Sequence, residues 1–237
     1  MNFETKYRPQ TFNDLVFSDG ITQKRLLDYA NNRRHGNIIF HGPFGTAKST
    51  TARLIQKMRV GALKAGGPWD YHASAIDEGT FEIFPREWTI QKLAGVHHPL
   101  TVIDEIDQLK QALQHRFGPL MDRTDWGSFI LTTNNLHNVD KGIADRCDVI
   151  ELPAANQSAW FDRAKFILQT EGINLPDEHI KGLLSTTNGS IRDLMRCLED
   201  AVIRLSKTVP AQGTQPPTPV APMSVQLIPP IQQGTTP

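Results

Sequence analysis

The chain has 237 residues, 39% of them hydrophobic and 21% charged, which suits one α/β domain of ordinary size with a small helical companion. Lys plus Arg equals Asp plus Glu at 25 each, so the overall basic excess of a general nucleic-acid binder is excluded, although a local basic stripe is not. Only two cysteines occur, Cys147 and Cys197; far apart and without C-x-x-C spacing, they argue against a disulfide framework or zinc site and for a reducing cytoplasm.

The opening MNFETKYRPQ lacks the basic-then-apolar order of a secretory signal. No stretch approaches the ~20 apolar residues of a membrane helix, so a cytoplasmic protein without a membrane partner is expected. Residues 37–41 (NIIFH) form a short apolar run that ends at a glycine and predict a buried strand; residues 47–58 predict the helix after it. Further strands are predicted at 100–104, 128–134 and 149–152, with a helix over 108–122. Strands alternating with helices predict a parallel sheet sandwiched by helices. Beyond Pro153 the pattern is helical only, over 158–170, 176–185 and 190–206, broken at Glu171-Gly172 and Asn188-Gly189. The expected organisation is an α/β nucleotide-binding domain over 1–154 and a three-helix lid over 155–207. From 208 to 237 there is no charged residue, and half of the chain's 16 prolines lie there. That stretch reads as an extended, disordered Pro-rich tail.

Two segments carry chemistry. Gly42-Pro43-Phe44-Gly45-Thr46-Ala47-Lys48-Ser49 lies at the strand-to-helix junction where a phosphate-binding loop belongs. Backbone N–H groups and the positive end of the following helix stabilise a triphosphate there. In that pattern Lys48 reaches the β- and γ-phosphates and Ser49 ligates Mg²⁺, with Thr50 next in line. Ala47 stands where glycine is usual, and its methyl group narrows the phosphate approach. Leu100-Thr101-Val102-Ile103-Asp104-Glu105 supplies the second half: an apolar strand ending in two acids, Asp104 toward the metal and Glu105 toward the attacking water. ATP and Mg²⁺ are therefore the expected ligands. Weaker signals point elsewhere: adjacent His97 and His98 do not share a face and predict no metal pair, and Arg33-Arg34-His35 reads as solvated surface. In the tail, Pro216, Pro219 and Pro222 repeat a P-x-x-P spacing, and residues 225–228 form an apolar island of the kind that binds a partner groove.

The phosphate loop resembles the G-x-x-G-x-A-K-S version of MCM helicases and MoxR-type ATPases. In order along residues 5 to 205, the chain also resembles the AAA+ portion of clamp-loader (replication factor C) small subunits. Lys6-Tyr7-Arg8-Pro9 is similar to that family's opening K-Y-R-P, which implies that Tyr7, Arg8 and Pro9 lie against the adenine. His72-Ala73-Ser74-Ala75-Ile76-Asp77 is similar to its N-A-S-D segment. The strand ending at Asn134 resembles sensor 1, making Asn134 the group that orients water and γ-phosphate. Asp145-Arg146-Cys147 resembles the S-R-C motif, which implies that Arg146 is an arginine finger acting on a neighbouring subunit's nucleotide in a homo- or hetero-oligomer. Gly189-Ser190-Ile191-Arg192 resembles sensor 2, with Arg192 on the γ-phosphate. The resemblance implies an oligomeric ATPase coupled to DNA.

Two departures qualify the match. The family continues into a helical collar where this chain has its Pro-rich stretch, so the resemblance is to a small subunit truncated before the collar. The family's A-L-R-R segment falls on Arg116-Phe117-Gly118-Pro119, and Pro119 is expected to kink or interrupt its helix. Three functional classes follow: a clamp-loader-like replication motor, an ATP-switched DNA-bound adaptor of the transposition or mobile-element type recruiting a partner through the tail, and a nucleotide-controlled protein scaffold.

Overall fold

The structure is a computed structural model that describes residues 3–61, 69–123, 126–187 and 189–206. The Pro-rich tail, with Pro216, Pro219, Pro222 and residues 225–228, lies outside these residues, as does Asn188.

Five strands form one sheet: β1 (Asn37–His41), β2 (Asp70–His72), β3 (Leu100–Asp104), β4 (Ser128–Thr133) and β5 (Cys147–Glu151), in the order β2-β3-β4-β1-β5. Every pairing is parallel. The central strands are covered on both faces, which is why they read as unbroken apolar runs. Because successive side chains alternate, Ile38 and Phe40 of β1, Val102 of β3 and Ile130 of β4 enter one core with Leu26, Ile55 and Leu54. Ile39, Ile103, Phe129 and Leu131 enter the other, with Phe84, Trp88 and Phe117. The first core belongs to α2 (Gly20–Ala30) and α3 (Lys48–Val60), the second to α4 (Glu78–Leu93) and α5 (Gln111–Arg123).

After a single turn at α6 (Lys141–Ala144) and strand β5, three helices follow: α7 (Gln157–Thr170), α8 (Asp177–Ser185) and α9 (Ile191–Ser206). They close a separate core around Trp160, Ile167, Ile180, Leu184 and Leu198, joined by Phe3 and Tyr7 from and just after α1 (Phe3–Lys6). In α9 the buried positions Leu194, Met195, Leu198 and Ala201 recur at helical spacing, forming one apolar stripe.

Three elements were not legible in the apolar patterning. Helix α2 has mixed polarity but a firm start, where the Asp19 carboxylate accepts from Thr22 N–H at 2.7 Å. Strand β2 has three residues, none of them buried. Helix α4 carries Pro85 and a run of aromatics, and is secured by a reciprocal cap between Asp77 and Thr80. Pro119 does not interrupt α5, which runs through it. The missing proline N–H costs one bond to the preceding turn, but Leu113, Phe117 and Met121 are each at most 6% exposed and pin the helix to the core on both sides of it.

Candidate nucleotide-binding site

The phosphate loop begins where β1 leaves the sheet. Gly42 has φ +147°, and a Cβ there would stand 2.3 Å from the Leu152 carbonyl oxygen, so no larger residue fits. Gly45 has φ +75°, and its Cβ would meet Ser190 Oγ at 2.3 Å. The Gly45 carbonyl accepts from Ile191 N–H at 2.9 Å, which docks the loop onto the start of α9. Ala47 closes the loop at φ 61°, ψ 20°. That left-handed conformation explains the usual glycine: a side chain there costs about 1–2 kcal/mol. Helix α3 then starts at Lys48, and its first-turn N–H groups have no acceptor within the helix, so Lys48, Ser49 and Thr50 offer donors at a positive helix end.

Lys48 is buried, with its ammonium donating to the carbonyls of Gly42 at 2.8 Å and Pro43 at 2.6 Å. Burial lowers its pKa to about 8, against the opposing pull of Asp104, Asp107 and Glu105. Ser49 Oγ donates to Asp104 Oδ1 at 2.5 Å. Thr132 Oγ1, from β4, donates to the same oxygen and accepts from Glu105 N–H at 3.1 Å. Glu105 itself is in the left-handed region at φ 57°. Its carboxylate meets His72 Nε2 at 3.1 Å and accepts from the Gln108 amide. A hydroxyl and a carboxylate this close are hard oxygen donors, the set a small divalent cation prefers alongside phosphate oxygens. Among the described residues no group of three or more His, Cys, Asp or Glu side chains forms a metal site by itself.

These parts line one cleft of about 670 Å³ at the carboxyl ends of the strands, the edge where open parallel sheets bind ligands. Tyr7, Arg8 and Pro9 line it, as do Phe44 through Thr50, Asp104, Glu105, Asn134 and Arg192. Gly42 and Pro43 lie behind that wall and contribute the carbonyls that hold Lys48. Arg146 is not part of it: its guanidinium donates to both Asp122 oxygens at 2.7 Å and to the Gly142 carbonyl at 2.7 Å. Tyr7 is anchored through its hydroxyl to Glu171 at 2.6 Å, and its carbonyl accepts from Arg163 of α7 at 3.3 Å. The N-terminal segment is thus fastened to the three-helix unit at the mouth of the cleft.

The patterning did not single out Thr132, Arg53 or Arg163 as site residues. Arg53 was within reach of a spacing argument, since it follows Ser49 by four residues and so shares its helix face. Arg163 required the tertiary fold, because its ion pair with Asp14 at 2.8 Å joins residues 149 positions apart.

A parallel five-stranded sheet with its phosphate loop after β1, an acidic pair after β3 and a helical unit docked on the loop is the fold of the AAA+ P-loop class. RuvB, the Holliday junction branch migration motor of Thermotoga maritima, superposes with a TM-score of 0.65 at 14% identity, covering 87% of this chain and 68% of that one. Within the class the chain resembles replication factor C small subunits. It is 29% identical over 202 residues to that of Natronomonas pharaonis, matching 84% of this chain and 61% of the relative. It is 26% identical over 212 residues to small subunit 1 of Pyrobaculum arsenaticum, matching 88% and 64%. The chain therefore spans somewhat under two thirds of the length of these relatives. No protein-family model matches it. Among the described residues no helix is long and apolar enough to cross a membrane.

Proposed function

We propose that the chain is an ATPase module that binds Mg·ATP in the cleft, hydrolyses it within an oligomer and is coupled to DNA as a clamp-loader-like replication factor of the cytoplasm. The observation that carries this reading is the convergence, in one cleft, of the phosphate loop, the Asp104–Glu105 pair, Asn134 and Arg192. Four elements distant in sequence supply the four kinds of group that phosphoryl transfer needs.

In this reading Lys48 gives up its bonds to the Gly42 and Pro43 carbonyls for the β- and γ-phosphates. The N–H groups of the first turn of α3 hold the same oxygens, and Tyr7, Arg8 and Pro9 border the base. Ser49 and Asp104 would hold Mg²⁺, which would supply positive charge beside the phosphates. Glu105 accepts a proton from the attacking water, which Asn134 orients, and Arg192 brings the α9 unit down as a lid. Arg146, outside the cleft, acts on the nucleotide of the next subunit.

The test is steady-state ATPase rate against protein concentration, with and without primer–template DNA. Specific activity that rises with concentration and again with DNA supports the reading. Nucleotide binding without any turnover at any concentration or with DNA present removes the hydrolytic role. A second reading, a DNA-bound adaptor that recruits a partner through residues 208–237, is favoured by the Arg116–Pro119 segment. Arg116 is engaged by Glu78 at 2.5 Å and Phe117 is buried, so this stretch does not present a pair of arginines to a subunit or to DNA. Deleting the tail separates the two: lost recruitment with intact DNA-stimulated turnover supports the adaptor.

A further inference from the structure

Arg53 is a cation placed beside a carboxylate that the nucleotide reading assigns to a metal. It stands on α3 one turn beyond Ser49 and lines the cleft. Its Nε donates to Asp70 Oδ2 at 2.6 Å and its Nη2 to Asp70 Oδ1 at 3.4 Å. The same Nη2 reaches Asp104 Oδ2 at 3.4 Å. Asp104 is thereby divided: Oδ1 faces Ser49 and Thr132, and Oδ2 faces the guanidinium.

The sheet explains the arrangement. Asp70 opens β2 opposite Val102, and His72 pairs with Asp104. Asp70 and Asp104 are therefore two positions apart on adjacent strands and project from the same face. Two carboxylates on one face near a phosphate loop make a strongly negative patch. One guanidinium inserted between them leaves a single net negative charge for the pair of acids. Lys48 feels Asp104, Asp107, Glu105 and Arg192 there, and Glu4, Arg8, Asp14, Lys57 and Arg163 also line the cleft.

We propose that the Arg53–Asp70 pair sets the cation affinity of the Ser49–Asp104 site: Arg53 restrains it and Asp70 holds that restraint in check. This rests on the Mg·ATP reading above. An ordinary surface ion pair contributes little and is indifferent to the ligand. A charge-balancing pair has a different signature, because its two members act on a nearby cation with opposite sign. Removing the guanidinium leaves Asp70 and Asp104 both facing the cation, which then binds more tightly. Removing the Asp70 charge leaves Arg53 uncompensated against Asp104, and the cation binds more weakly.

The experiment is a MgCl₂ titration of fluorescent ATP-analogue binding to the full chain, with circular dichroism melts on each variant. Arg53→Gln is expected to lower the half-saturating Mg²⁺ concentration and Asp70→Asn to raise it, each on the order of fivefold. The double variant is expected to return to within about twofold of the unsubstituted chain, and Arg53→Lys, which keeps the charge, to stay near it. Shifts of both single variants in the same direction, or no shift in either while both remain folded, overturn the assignment. Absence of nucleotide binding by the unsubstituted chain overturns the Mg·ATP reading instead, so the two failures are distinguishable.

Discussion

Arg146 grips Asp122 through Nε and Nη2, each N–O distance 2.7 Å, and turns Nη1 to the Gly142 carbonyl. Gly118 lies alongside, 3.6 Å from Arg146 Nη1 to where a Cβ would stand. The side chain that most resembles an arginine finger is thus held in a defined pose, outside the cleft.

That placement separates binding from turnover. Arg146→Ala is expected to leave ATP-analogue affinity within about twofold, because the residue touches nothing in the cleft. Turnover is expected to fall about 10³-fold, the contribution of a finger acting in trans. Asp122→Asn keeps the cation and removes only an exposed partner, so turnover is expected to change by less than about fivefold. Parallel titrations and steady-state assays read both effects; unchanged turnover in Arg146→Ala removes the residue from the role.

Gly42 and Ala47 make opposite demands. Gly42→Ala forces a methyl against the Leu152 backbone carbonyl at 2.3 Å, and neither partner is a flexible side chain. We expect a loss of about 2 kcal/mol or more in urea unfolding together with loss of nucleotide binding. Ala47→Gly relieves a left-handed alanine at φ 61° while adding chain entropy to the unfolded state. The two effects differ by a few tenths to about 1 kcal/mol in favour of glycine. A stabilised Gly42→Ala or a strongly destabilised Ala47→Gly contradicts the loop geometry.

The sheet's interior was legible because β1, β3 and β4 are covered on both faces and read as apolar runs bounded by glycine or acids. The motifs on their ends were legible for the same reason: a strand end fixes where Lys48, Asp104 and Asn134 emerge. What patterning could not supply was the support around them. Thr132 is one of two threonines ending an apolar strand, and only the β3–β4 pairing puts its hydroxyl on Asp104. Glu105 reads as a general base from its position, yet His72 and Gln108 hold it through contacts made by the three-residue strand β2 and the turn after β3. Helix α4 was hidden by Pro85, a residue that argues against a helix unless tertiary packing of Phe84 and Trp88, both fully buried, outweighs it.

Thr132 gives that support a test. Its hydroxyl is buried, donating to Asp104 and accepting from Glu105 N–H at 3.1 Å. Thr132→Val conserves the shape but strands the Glu105 amide and removes a donor from Asp104. The expected destabilisation is about 1–3 kcal/mol, the cost of an unsatisfied buried polar group. Weaker Mg²⁺-dependent nucleotide binding is expected with it, because Asp104 is no longer fixed toward Ser49. Thr132→Ser is expected to restore most of both. Denaturant melts and MgCl₂ titrations of the same samples distinguish this from a packing defect, which serine would not repair.

Lys48 supplies a prediction in pH. Burial lowers its pKa from 10.5 to about 8 in the unliganded protein, with Arg192 adding to the depression while Asp104, Asp107 and Glu105 oppose it. Below pH 8 the lysine is charged in both folded and unfolded chains, and the folded state carries the full cost of a buried cation. Between about 8 and 10.5 the folded chain releases the proton and the unfolded chain keeps it, so this residue makes stability rise with pH across that window. Nucleotide phosphates restore the charged form. Binding at pH 9 is therefore expected to take up close to one proton per site, and affinity to weaken as pH climbs through 8. Calorimetry in two buffers of different ionisation enthalpy measures the uptake directly, and Lys48→Met serves as the control that abolishes it. Zero uptake at pH 9 would mean that the ammonium is already charged in the free loop, held by the Gly42 and Pro43 carbonyls strongly enough to offset its burial.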